Sequence, residues 1–233
     1  MSAPVGRRPR AARTFRDLLP AGSWPRLPIE VRRRFSQTFE SGSTTCYRGR
    51  VVQTRLSRLG WWLAQLTRLI GAPLPLHADC GLATVVVTDH AETDGQVWTR
   101  LYHTRSATPQ AIQSIKRFAG ATGLEEDLGY GFAMSLELSV TDEALVFTGR
   151  HYYWRGLGLT IEVPDWLSPG VLRVKNWQGR QDDFYFSLEL THPWFGLLIE
   201  QTVYFDDEAT FRGHAPAATP DGEAIGASSL AVR

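Results

Sequence analysis

Between residues 132 and 140 the chain alternates strictly. Phe132, Met134, Leu136, Leu138 and Val140 are apolar, and Ala133, Ser135, Glu137 and Ser139 between them are small or polar. A period of two belongs to a strand with one buried and one wetted face. The stretch 184–192 repeats it, with Phe184, Phe186, Leu188 and Leu190 on one side and Tyr185, Ser187, Glu189 and Thr191 on the other. His192 continues the apolar phase, and a turn at 193–196 leads into a further strand at 197–205. This run, 131–205, organises the chain. The same reasoning predicts strands at about 46–55, 82–89, 96–104, 144–154, 157–163 and 171–177, with Asp94-Gly95 as a hairpin turn. In 144–154, Leu145, Phe147 and Tyr153 fall on one face and Val146, Tyr152 and Trp154 on the other, which predicts cover on both sides. Residues 109–119 fit a strand and a helical turn equally.

From Leu27 the apolar period lengthens. Pro28 suits a first turn, Ile29, Val31, Phe35 and Phe39 share a face, and Arg32, Arg33 and Arg34 lie across the wet side until Ser41-Gly42-Ser43 stops the helix. In 57–70, Leu59, Trp62, Leu63, Leu66, Leu69 and Ile70 recur at three and four residues, ended by Gly71, Pro73 and Pro75. That stripe is expected to face the core; Trp61, Arg58 and Arg68 beside it also suit a membrane surface. The predicted fold class is α+β, mainly β: a curved antiparallel sheet or partly closed barrel of about nine or ten strands with two early helices. A ligand cavity or packed side chains would fill its interior. The expected layout is a flexible basic leader (1–24), one β-rich domain (25–212) and a loose C-terminal tail (213–233).

Composition changes this picture in one respect. The net charge is +1 over 233 residues, yet 1–58 holds 13 Arg against Asp17, Glu30 and Glu40, leaving the remainder at −9. Arg32, Arg33, Arg34 and Arg58 are therefore the candidates for docking a partner, either an acidic protein or an anionic membrane surface. The same charges fit a solvated tail and helix face, and no nucleic acid is expected. Cys46 and Cys80 form no metal spacing and no disulfide framework, which suits a reduced, cytoplasmic setting. No secretory h-region follows the N-terminal arginines, and no stretch has the ~18–20 apolar residues of a membrane-spanning helix.

Chemistry-bearing motifs are few. The chain has no phosphate loop, nucleophile elbow, H-E-x-x-H or C-x-x-C. His103, His151 and His192 would make a zinc site only by converging from separate strands, and no metal or cofactor is expected. Glu125-Glu126-Asp127 and Asp182-Asp183 read as solvated loop carboxylates rather than an acid–base pair. Aromatics with polar tips are concentrated at His151-Tyr152-Tyr153-Trp154 and at Trp98 and Tyr102, which suits the wall of a pocket for a flat or amphipathic ligand. The competing explanation is an ordinary aromatic-rich core.

Several spaced motifs resemble a bacterial family catalogued as a domain of unknown function, number four-one-six-six. They are Leu27-Pro28 with Val31-Arg32, Tyr47-Arg48-Gly49-Arg50-Val51, Pro73-Leu74-Pro75, Val97-Trp98-Thr99-Arg100, Pro164-x-Trp166-Leu167-x-Pro169, and the alternating 184–192 strand closed by His192-Pro193-x-x-Gly196. The resemblance spans about 17–206. It implies association with, or fusion to, NAD(P)-dependent reductases of the saccharopine-dehydrogenase or short-chain type, and it carries no catalytic residues.

Three functions follow as expectations. The first is non-catalytic binding of a small hydrophobic or amphipathic ligand, such as a lipid-like molecule, inside the curved sheet, with Trp98, Tyr102, His151, Tyr153, Trp154 and His192 on its wall. The second is an interaction module that docks a reductase partner or an anionic membrane through Arg32–Arg34 and Arg58. The third is an enzyme using His151 and His192 with a nearby carboxylate.

Overall fold

Among the described residues eleven strands take up the alternation, and every pairing among them is antiparallel. They are β1 (Ser43–Leu56), β2 (Cys80–His90), β3 (Gly95–Thr104), β4 (Gln110–Arg117), β5 (Glu125–Gly129), β6 (Phe132–Thr141), β7 (Ala144–Gly156), β8 (Leu159–Glu162), β9 (Val171–Gln178), β10 (Phe184–His192) and β11 (Gly196–His214). This computed structural model describes residues 13–36, 43–71, 74–77, 80–90, 95–104, 109–179 and 183–214. Ten of the strands close into a ring: β1 to β7 in chain order, then β9, β10 and β11, which returns to β1. The expected curved sheet is thus a closed barrel, and the ambiguous stretch 109–119 supplies one of its staves.

The wall forks once. The first half of β7, from Leu145 to Gly149, pairs with β9, whereas its second half, from Tyr153 to Gly156, pairs with β8. Between the halves, Leu136↔Gly149 gives way to Met134↔Tyr152, so β7 carries one more residue than β6. Such a bulge reverses which side chains face inward. Tyr152 therefore turns into the barrel and is buried, while His151 turns out and is exposed. The expectation that Tyr153 shares a face with Leu145 and Phe147 fails for this reason.

Two helices serve the two ends. The end where β6 turns into β7 is filled by chain from before β1: a 3-10 turn, Phe15–Leu18, and α1, Ile29–Phe35. Val31 (0% exposed), Phe35 and Phe15 are buried there; the rings of Phe15 and Phe35 both pack on Phe147, each at 5.6 Å, and Phe35 stacks on Trp98. Phe15, Leu19 and Trp24, which fall within the expected leader 1–24, are part of the core. Phe39, assigned to the same helix face, lies outside the described residues, as do most of the expected tails.

At the opposite end α2 (Arg58–Thr67) follows β1 directly, and a 3-10 turn, Arg68–Ile70, extends it to Gly71 at φ 71°. Ser57 caps α2 by accepting from the Gly60 N–H at 3.0 Å. The face that α2 buries is Gly60 and Ala64, one turn apart. A side chain at Gly60 would collide with the Leu198 carbonyl of β11, so glycine lets helix and strand touch backbone to backbone. The expected core stripe is corrected accordingly. Leu59, Trp62, Leu66 and Leu69 are exposed, and of that stripe Leu63 packs against the core.

Candidate functional site

A cavity of ≈370 Å³ occupies the α2 half of the barrel. That volume is in the range of small-molecule sites, about 300–1,000 Å³. Its walls are the inward phases of β6 (Phe132, Met134) and β10 (Phe186, Leu188, Leu190), and Leu63, Leu66 and Thr67 of α2 lie across its top. Leu66 and Leu167 line it and are themselves 59% and 63% exposed, which locates the mouth between α2 and the 163–170 connection.

The polar part of the lining comes mainly from β3, β4 and β5. Arg100 shares the inward phase of Trp98 and Tyr102, and Ser114 and Lys116 share that of Ile112. These residues meet Glu126 of β5. Its Oε1 accepts from Lys116 Nζ at 2.8 Å and from the Ser114 hydroxyl at 2.5 Å, with Arg100 Nη2 at 3.5 Å. Burial pushes the Glu126 carboxyl up, but Lys116 and Arg100 outweigh it and hold it at about 2. For Lys116 burial wins, and its ammonium is brought down to about 8 against the pull of Glu126. Burial, helped by the Glu126 charge, also pushes the Tyr152 phenol up, so that at neutral pH it faces the cavity as a protonated hydroxyl. Deeper still, between this cluster and the filled end, lies a small pocket of ≈40 Å³.

Of the predicted wall residues, Trp98 and Tyr102 are inside the barrel. Tyr102 lines the main cavity; Trp98 lies below it, its ring stacked on Phe35 and 4.9 Å from Lys116 Nζ. The other four are elsewhere. His151 is on the outer face, its Nδ1 3.3 Å from Glu162 Oε1 of β8. Tyr153 carries the Arg155 guanidinium 4.5 Å above its ring, and Trp154 donates its indole N–H to the Tyr130 carbonyl at 3.2 Å. His192 is buried in the β10–β11 turn, accepting the Trp194 N–H at Nδ1 (3.1 Å) and packing on Phe195. This bond makes His192 part of the turn's architecture. His103, His151 and His192 do not converge, and no group of three metal-ligating side chains occurs among the described residues.

The acidic run 125–127 is corrected as well. Glu125 and Glu126 are buried on β5 rather than solvated in a loop, and Glu125 takes a bidentate pair from Arg155 at 2.9 Å for both bonds. Arg100, Ser114, Lys116, Glu126 and Tyr152 are the functional candidates that sequence reasoning missed. Alternation in 96–102 and 110–116 carried the signal for the first three. The arginine patch also divides. Arg34 is buried, stacked 4.5 Å over Tyr47 and 4.1 Å over Phe184; Arg33 is exposed and pairs with Glu30 at 2.7 Å; Arg32 is half-buried. Arg58 stands exposed at the start of α2, at the other end of the barrel.

That mouth has an apolar rim. Trp61, Trp62, Leu66 and Leu69 project from α2 and its extension. Leu157, Leu159 and Ile161 come from the β7–β8 hairpin, Trp166 and Leu167 from the next connection, and Trp194 and Phe195 from the β10–β11 turn. Of seventeen exposed large apolar side chains among the described residues, fourteen are in these segments or beside them, whereas Ile29 stands alone at the filled end.

Residues 27–205 match the family described as Domain of unknown function (DUF4166). The chain belongs to this family. No curated protein and no solved structure matches it. The DUF4166 match begins two residues before α1 and ends within β11, so it takes in the whole cavity and both helices but not the Phe15–Leu18 turn of the filled end. No helix among the described residues is long and apolar enough to cross a membrane.

Proposed function

We propose that this DUF4166 chain binds a small hydrophobic or amphipathic molecule inside its barrel, without catalysing a reaction on it. One observation carries this: an apolar cavity of ≈370 Å³ that narrows onto a single charged cluster. Ten strands make a barrel too wide for wall side chains alone to fill, and the N-terminal segment occupies only one half of it. An amphipathic ligand would lie with its apolar part along Met134, Leu188 and Leu190 and its polar end toward Arg100, Ser114 and the Tyr152 hydroxyl. Buried polar groups of this kind orient a ligand, while the apolar walls hold it.

The test is organic extraction and mass spectrometry of freshly purified protein, combined with titration of a naphthalene-sulfonate dye. A stoichiometric extracted molecule that displaces the dye is the expected result. Leu188→Trp fills the cavity from its wall and is expected to abolish both. Equal dye binding by the wild-type chain and Leu188→Trp would place the dye elsewhere and overturn the proposal.

A further inference from the structure

We infer that the rim around the mouth docks onto an anionic bilayer surface, so that the cavity opens directly against lipid. The exposed apolar side chains are not scattered. They come from four separate segments, each at the same end of the barrel, and include Leu66 and Leu167, which line the cavity and are exposed. Exposed apolar side chains concentrated at one end in this way mark an interaction surface. Four of its members are tryptophans, Trp61, Trp62, Trp166 and Trp194, the residue enriched where protein meets the headgroup layer.

Charge selects the partner. Residues 58–70 carry Arg58 and Arg68 and no acid, and the segment 194–197 has no acid either; the acids beside the rim are Asp165, next to Trp166, and Glu162, next to Ile161 and 3.3 Å from His151 Nδ1. Guanidinium groups flanking exposed Trp and Leu on a short helix match anionic headgroups above an acyl layer. Continuity with the cavity points the same way. A molecule that suits this interior is sparingly soluble in water, and a mouth held against a bilayer shortens its passage through water. A separate open groove beside α2, lined by Leu56, Ser57, Arg58, Trp61, Trp62, Leu76 and His77, brings Arg58 next to the exposed tryptophans.

The test uses the full chain with phosphatidylcholine vesicles, with and without a phosphatidylserine fraction, read by co-sedimentation and by quenching of Trp emission with brominated lipid. Binding should be roughly tenfold tighter with phosphatidylserine and should lose most of that gain in Arg58→Gln/Arg68→Gln. Trp61→Ser/Trp62→Ser should reduce binding to both compositions and remove most of the quenching. Leu188→Trp should dock like the wild-type chain although its cavity is filled, so docking and ligand binding can fail separately. Binding to neither composition overturns the inference, and equal binding to both overturns its headgroup assignment. A dimer in light scattering that Trp61→Ser/Trp62→Ser dissolves would assign the rim to a second copy of the chain instead.

Discussion

The two ends of the barrel are closed by helices of comparable length and opposite design. At one end α1 turns its large residues inward, with Val31 and Phe35 buried above a pocket of ≈40 Å³. At the other, α2 turns its smallest residues inward, Gly60 and Ala64, so that its Trp and Leu side chains face out or roof a cavity of ≈370 Å³. Amphipathicity alone does not say which face a helix buries. A face of small residues allows close approach to a strand, and that contact can displace a larger apolar stripe from the core. One end is built for stability and the other for access.

Substitutions should sharpen this contrast. The largest effects are expected inside. Phe35→Ala empties part of the plug and should cost about 3–5 kcal/mol in urea denaturation. Glu126→Gln leaves Lys116 and Arg100 without their buried counter-charge and should cost about the same. Acid reports on the same cluster. The Glu126 carboxyl is held at about 2 in the folded chain against an ordinary 4.5, so its contribution is present above pH 4.5 and fades as the pH falls toward 2. The acid branch of the stability curve should lose roughly 3 kcal/mol over that interval, and most of the loss should vanish in Glu126→Gln. Gly60→Val separates α2 from β11 and should cost about 1–3 kcal/mol as an overpacked contact, with faster dye exchange as its mark. Trp62→Ala should change stability by no more than about 0.5 kcal/mol, despite removing the bulkiest side chain type. A cost at Trp62 equal to that at Phe35 would break the comparison.

Much of the architecture was legible in the sequence. The alternation in 132–140 and 184–192 identifies strands whose inward phases, Met134 and Leu136, Leu188 and Leu190, are those the barrel uses. Trp98 and Tyr102 were found inside because one unbroken period of two connects them. His151 and Tyr153 were misplaced because the β7 bulge reverses parity, and nothing local to residues 150–154 marks the inserted position. The cluster at Glu126 was missed for another reason. Its partners Ser114 and Lys116 are ten or more residues away on a neighbouring strand, and a carboxylate reads as solvated until its cations are placed beside it. Gly60-x-x-x-Ala64 was the available signal for the buried face of α2, hidden by the bulkier stripe next to it.

The register that seals the barrel sets an order of assembly. Ser43 pairs with His214 and Leu56 with Ile199, so the first stave is joined to the last across more than 140 residues of sequence. Loop-closure entropy makes such distant pairings late and slow, typically on the millisecond-to-second scale. During synthesis the nascent sheet stays an open ribbon, with β1 exposing an unpaired edge until the residues of β11 have left the ribosome. Chains stopped before Gly196 should be cut rapidly in pulse proteolysis, and chains reaching His214 should resist. The sheet is therefore vulnerable from the synthesis of β1 until that of β11, and a chaperone that shields the edge of β1 would matter more to the yield than to the final stability.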